Sequence, residues 1–535
     1  MKAENEKTLK KGRKRDDATH GRCENQPTEG VKMTRRLFAY TGFSLLATTF
    51  LATTVAAQDI TIALQDDPDV LDPHRGNSYV GRLVFNSLCD KLVDTDENLA
   101  IVPRIASEWS WSEDNTVLTM KLREDAVFHD GEPINAEAVI ANLDRAINLP
   151  ESRRAGELSS VASYEVTDEY TVEITLKGPD ATFLSQLSDR AGMLVSPASF
   201  DVEASGAAVC SGPYSFVERV QNDRITLKKF EDHWDAENYH FDTVVYQPIP
   251  DATVRLANLR AGDVDFIERP APSDIETIKS ESDLVFQMIP GLGYYGIVFN
   301  LNNGERADSP INSDPQLRRA FELSLDREVI NQVVGLGIYQ PAYQPFSPAS
   351  FAYNPEFDGG GRDVEGARQM MKDAGYDSVS FEITYANNSL MQQMFELVQA
   401  MSAEAGFEVS LRPVEFAAYL SERTEGNFDA AQTGASGRVD PDGNFYRYLG
   451  CESAANPGKF CNAKMEEAML AARTVTDDAQ RKAYYDEAQA VLKEEIPTIY
   501  LYYTPNYYAY TTDLEGFTPH PDGVIRLAGV KLAED

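Results

Sequence analysis

The chain has 535 residues with 49 Lys and Arg against 85 Asp and Glu, a formal net charge of −36, and a 42% hydrophobic content. That length supports two or three domains with well-buried cores. So acidic a chain repels a phosphate backbone, which argues against nucleic acid as a partner.

The first 57 residues stand apart. Residues 1–32 are polar, mixed in charge and without periodicity, and Met33 offers an alternative start. Thr34-Arg35-Arg36-Leu37-Phe38 then leads into an uncharged stretch from Leu37 to Ala57 that ends in Val55-Ala56-Ala57. This is the pattern of a signal peptide with a twin-arginine head, cleaved before Gln58. The apolar run is diluted by Thr41, Gly42, Ser44, Thr48, Thr49, Thr53 and Thr54, which argues against a membrane anchor. The expected product is exported through the Tat translocase to the periplasm of a Gram-negative cell, free and soluble. Residues 1–57 hold 11 basic and 6 acidic side chains, so the remainder carries a net charge of −41. Such self-repulsion is relieved where salt shortens the screening length, to roughly 3 Å at 1 M, so a saline habitat accounts for it.

Four cysteines remain after that cut: Cys89, Cys210, Cys451 and Cys461. An even number in an oxidising compartment suggests pairing; Cys451 and Cys461 close a loop short enough for a local staple, whereas pairing of Cys89 with Cys210, far apart in sequence, depends on the fold. A metal site is the rival reading. The histidines His74, His129, His233, His240 and His520 are not at ligand spacing to the cysteines, so no metal ligands are assigned.

In chain order, Gln58–Gln65 alternates as a first strand, and Asp66–His74 is a proline-rich loop. A helix follows from Tyr79 to Leu92. Thr116–Leu122 is a strand, and Ala136–Asn148 an alanine-rich helix. Ile289–Asn302 begins glycine-rich and aromatic and ends in the apolar run Ile297-Val298-Phe299, which reads as a crossover between two lobes. Gly291-x-Gly293-x-x-Gly296 also matches a dinucleotide fingerprint, but that motif follows a strand and opens a helix, whereas here a strand follows the glycines. Pro315–Gly335 is helical, Val379–Tyr385 a strand, Leu390–Gly406 a helix and Val409–Val414 a strand, an alternation that favours a partly parallel sheet covered by helices. The aromatic stretch Ile499–Tyr510 is the returning crossing.

Several blocks in this order resemble one family. Residues 111–139, Trp-Ser-Glu-Asp-Asn-Thr-Val-Leu-Thr-Met-Lys-Leu-Arg-Glu-Asp-Ala-Val-Phe-His-Asp-Gly-Glu-Pro-Ile-Asn-Ala-Glu-Ala-Val, are similar to the signature of the peptide-, opine- and nickel-type solute-binding proteins of ABC transporters, family 5. Leu71-Asp-Pro-His74, Ser211-Gly-Pro-Tyr-Ser-Phe216, Leu317–Arg327, Asp440-Pro-Asp-Gly-Asn-Phe445 and Ile496-Pro-Thr-Ile-Tyr-Leu501 extend the resemblance over residues 58–535.

The resemblance implies an α/β, two-lobed periplasmic binding protein fold of type II, in the large variant with an extra subdomain and a ligand cleft between the lobes. Mapped here, lobe one is 58–298 with the subdomain at 99–207, lobe two is 299–504, and 505–535 return to lobe one. It implies a monomer that captures a short peptide or related carboxylate-bearing solute and delivers it to an ABC permease with separate ATPase subunits. No cofactor is expected. Nickel or haem capture, oligosaccharide binding and a secreted hydrolase are the alternatives. The hydrolase reading lacks a Gly-x-Ser-x-Gly elbow, a phosphate-cradling loop and a His-Glu-x-x-His motif. Asp440-Pro-Asp442-Gly443 resembles a piece of a calcium loop, but Cys451 stands where that loop needs glutamate.

The candidate contacts lie in four loops. In dipeptide-binding relatives an aspartate meets the ligand's amino terminus at the position of Gly437. Here Ser436-Gly437-Arg438 offers a guanidinium instead, able to grip a carboxylate with two parallel hydrogen bonds, or else to brace the loop on Asp440 or Asp442. Asn387, Asn388 and Ser389 follow a strand where relatives place an arginine. Asn77 and Ser78 in the first loop, and Tyr294 and Tyr295 at the crossover, complete the set.

Overall fold

The structure, a computed structural model, describes residues 58–200 and 206–533; the twin-arginine leader lies outside the described residues. Its framework is one mixed sheet. Ten strands run in the order Phe407–Val414, Val379–Ala386, Ala430–Ala435, Leu284–Phe299, Thr498–Thr511, Phe266–Glu268, Asp59–Leu64, Thr243–Pro248, Arg224–Lys229 and Tyr214–Val220, and the short Gln340–Pro341 also pairs with Thr498–Thr511. Asp59–Leu64 is parallel to both its neighbours, and Val379–Ala386 likewise, so each lobe has its own parallel centre.

The two long central strands are antiparallel and run from one lobe into the other. Leu284–Ile289 pairs with Asn506–Thr511, and Gly293–Val298 with Thr498–Thr504. Between these two ladders Pro290, Gly291 and Leu292 face only Pro505, a bulge of three residues against one. Both prolines lack the N–H a ladder needs, so pairing fails at one level on both strands. The strands touch closely on either side of the gap. A Cβ on Gly291 would lie 2.3 Å from the Thr504 carbonyl oxygen, and one on Gly296 2.2 Å from that of Ile499.

Apolar cores pack on this frame in both lobes. Ile60, Ile62, Leu83, Phe85 and Tyr246 fill the first lobe; Phe299, Phe321, Phe381 and Phe407 pack edge to face in the second. A separate four-stranded sheet (Ala106–Trp111, Val117–Leu122, Thr171–Leu176, Val161–Asp168) is covered by the helix Ala136–Asn148 and closes over Leu118, Met120, Val139 and Phe183. That helix starts where Asn135 accepts the Ala138 N–H, and stops at Leu149 ahead of Pro150.

Two expected helices differ. The segment 315–335 is two helices, Pro315–Leu323 and Arg327–Val334, because Asp326 accepts the Val329 N–H and starts a second helix. The helix from Tyr79 stops at Leu88, and the next residue, Cys89, is bonded to Cys210. A second disulfide joins Cys451 to Cys461. Among the described residues, no helix is long and apolar enough to cross a membrane.

Candidate functional site

A cavity of about 400 Å³ lies beside the crossing strands, which contribute Tyr295 and Tyr507, and is walled from both lobes. The first lobe contributes the loop after the strand Asp59–Leu64 (Gln65, Asp66, Asn77, Ser78), the start of the following helix (Tyr79), Arg255, and the segment Arg269–Ser273. The second contributes Asn388–Met391, Tyr419, Arg423, the segment Gln432–Ser436 and Tyr448. Tyr295 stands between them.

The first loop is pinned from behind. Arg145 donates to both carboxylate oxygens of Asp72, at 3.1 and 2.6 Å, and to Nδ1 of His74 at 2.9 Å; the Asp72 carboxylate also receives the His74 N–H at 2.9 Å. His74 is completely buried, its Nε2 donating to the Met193 carbonyl. Burial and the Arg145 charge push the imidazole down to about 4. The Leu71-Asp-Pro-His74 block is therefore a neutral-histidine anchor. Beyond it, Asp69 accepts the Asn77 and Ser78 N–H groups, and Ser78 caps the helix through the Gly81 N–H. Asn77 is also gripped across the cleft, where Arg447 donates to its Oδ1 at 3.0 Å.

Of the expected contacts, Asn77, Ser78, Tyr295, Asn388, Ser389 and Ser436 line the cavity. Asn388 spends its side-chain oxygen on the Met391 N–H as a helix cap. Tyr295 stacks on Tyr502 and accepts a hydrogen bond from Arg269 at 2.9 Å. Tyr294, one residue earlier on the strand, faces the opposite side and packs against Tyr500. Asn387 is exposed and off the wall.

Arg438 and Gly437 do not reach the wall. The Arg438 Nε lies 3.0 Å from an oxygen of Asp189 in the first lobe, and Nη1 donates to Ser436 Oγ at 3.0 Å. Arg82 meets the same Asp189 oxygen at 2.8 Å and donates to the Gly437 carbonyl at 3.2 Å. Burial opposes the Asp189 charge, but Arg438, Arg82 and Arg190 hold its carboxyl well below the usual range. Asp440 and Asp442, the brace expected for Arg438, are taken by Arg481 and Arg473, each at 2.7 Å. Arg438 is thus a buried cross-cleft ion pair standing behind Ser436. Gly437 has φ +87°, and a Cβ there would meet Leu292 at 2.7 Å, so the position suits glycine for steric reasons.

The charged side chains that do face the cavity are Asp66, Arg255, Arg269 and Arg423. Among the described residues the buried Nε of Arg423 has no hydrogen-bond partner. Arg269 sits over the Tyr79 ring at 4.6 Å with its backbone at φ +47°, a strained conformation for arginine. Sequence reasoning passed over these four because they come from segments far apart in the chain. The acidic start of the 66–74 loop was the single local signal.

Residues 100–456 match the family model described as bacterial extracellular solute-binding proteins, family 5, middle. The chain is 26% identical over 498 residues to the glutathione-binding protein GsiB of Pectobacterium atrosepticum, covering 90% of this chain and 95% of that protein. It is 25% identical over 538 residues to the dipeptide-binding protein of Escherichia coli, covering 92% and 97%. Its fold is similar to the dipeptide-binding protein from Pseudoalteromonas sp. SM9913 in complex with Met-Leu, with a TM-score of 0.82 at 22% identity, over 89% of this chain and all of that one. The chain belongs to the bacterial extracellular solute-binding proteins of family 5.

Proposed function

We propose that this protein is the periplasmic substrate-binding component of an ABC importer, which closes its two lobes over a short peptide or a related carboxylate-bearing solute. The observation that carries the reading is a cavity walled from both lobes, beside crossing strands whose pairing fails at Pro290–Leu292 and Pro505. We place the lobe boundary at that bulge, ahead of residues 298/299. A ladder gap flanked by two prolines is where a small change in backbone angles swings one lobe against the other. The similarity to glutathione- and dipeptide-binding proteins supports the solute class. The protein performs no chemistry in this reading: it is exported as a monomer, loads, and presents itself to a permease driven by separate ATPase subunits.

Closure would make the cross-cleft pairs. Asp189 meets Arg438, Glu157 meets Arg447, and Arg447 reaches Asn77. Arg423, with a buried and unpartnered Nε on the wall, is the group we assign to the solute carboxylate. Arg438 serves closure instead. A thermal-shift screen of di- and tripeptides, glutathione and opines tests this, since a solute at a hundredfold its dissociation constant adds about 2.7 kcal/mol to stability. Stabilisation by one of them that Arg423→Ala abolishes supports the assignment; a screen in which only sugars stabilise contradicts it.

A further inference from the structure

The loop leaving the strand Asp59–Leu64 brings Asp66 to the cavity wall with only 5% of the residue exposed. A carboxylate so buried is normally met by a cation or by N–H donors. Among the described residues Asp66 has no such hydrogen-bonded partner, and Glu268, Arg255, Arg269 and Glu415 act on it through space. The two arginines nearby are committed elsewhere. Arg255 donates to the backbone carbonyls of Ile249, Pro250 and Arg269, at 2.6, 3.2 and 2.8 Å. Arg269 donates to Tyr295 and lies over Tyr79. Glu268 is fully buried; one of its oxygens accepts the Gln65 N–H at 3.0 Å and the other has no partner among the described residues.

This end of the cavity therefore holds two carboxyl groups and two guanidiniums whose hydrogen bonds go to other partners, and the Asp66 carboxyl opens onto the space a solute fills. We propose that Asp66 is the receptor for a cationic nitrogen of the bound solute, an ammonium or guanidinium seated at the Asp66–Glu268 end of the cavity. The inference rests on the solute-binding reading above and adds a required chemical group to it. With Arg423 on the opposite lobe, the cavity offers a zwitterion a carboxyl on one lobe and a guanidinium on the other.

Protonation gives the proposal a signature. Burial, reinforced by Glu268, pushes the Asp66 carboxyl up to about 8, so the ligand-free site is largely protonated at pH 7. An arriving cation ionises it and a proton leaves. Affinity for an amine then rises between pH 6 and 8, and the heat of binding depends on the buffer's own ionisation enthalpy.

The test uses the exported protein and Asp66→Asn, with the Met-Leu dipeptide and glutathione each paired with its N-acetylated form, read by melting shift and titration calorimetry. The expected result is at least tenfold weaker binding on acetylation, an equal loss in Asp66→Asn, no further loss when the two are combined, and proton release only in the wild type with the free amine. Asp66→Glu should restore part of the affinity. If an acetylated probe binds as well as its free amine, or Asp66→Asn keeps the amine's affinity, the Asp66 role is overturned while the solute-binding reading stands. If no probe of either kind binds, both are overturned for peptide-class solutes.

Discussion

Replacing Arg145 by methionine should strip the first cavity loop of its anchor. The change removes two charged hydrogen bonds to Asp72 and one to His74, all in the interior. Breaking a buried pair by removing one partner costs about 3–5 kcal/mol, because the surviving charge is left uncompensated. Asp72 retains the His74 N–H at 2.9 Å and a longer contact to Arg75 at 3.8 Å, which places the expected loss at the lower end, about 3 kcal/mol. The assay is urea unfolding of the ligand-free protein followed by circular dichroism. Asp72→Asn combined with Arg145→Met should cost less than the sum of the single changes, by about 2 kcal/mol, since each alone already breaks the pair. A loss below about 1 kcal/mol for Arg145→Met, or strict additivity in the double variant, would refute the anchoring argument.

Two further outcomes follow from the same geometry. The folded state holds His74 neutral down to about pH 4, whereas the unfolded chain protonates near 6.5, so the unfolded state binds more protons in that window. Stability should therefore fall as pH drops from 6.5 to 4, by up to about 3 kcal/mol from this group, and His74→Gln should flatten that slope; an unchanged slope would contradict it. For the disulfides, Cys89–Cys210 spans 121 residues and Cys451–Cys461 only 10. In the chain-entropy model their removal costs roughly 5 and 3 kcal/mol respectively, so paired Cys→Ser variants should show the long bridge to be the more stabilising; the reverse order would reject that account.

Much of the frame was legible because its signals are local. Ala136–Asn148 carries its own N-cap at Asn135 and an apolar face, and Val379–Ala386 its own apolar strand pattern. The crossover was legible in Ile289–Asn302 because its glycines answer close backbone approach, to Thr504 and Ile499. The break inside 315–335 was missed because one capping side chain, Asp326, outweighs helical propensity. The site was legible only in part for a different reason. Asn77, Ser78, Asn388, Ser389 and Ser436 sit at ends of strands and helices, where the fold delivers side chains to the cleft, and Tyr295 reaches it from within the central strand. What Arg438 does is decided by Asp189, a residue 249 positions away, and nothing near either one announces the pairing. Asp66 and Arg423 matter because the fold sets them on one cavity, not because of their neighbours in sequence.

Closure on a solute is the central claim, and small-angle X-ray scattering of the exported protein tests it most directly. The measurement compares the ligand-free protein with the protein saturated by whichever peptide or glutathione probe gives the largest melting shift. The account predicts a smaller radius of gyration in the loaded state, and less compaction in Asp189→Ala, which removes the carboxylate that Arg438 meets across the cleft. A radius of gyration unchanged by a probe that demonstrably binds would contradict it.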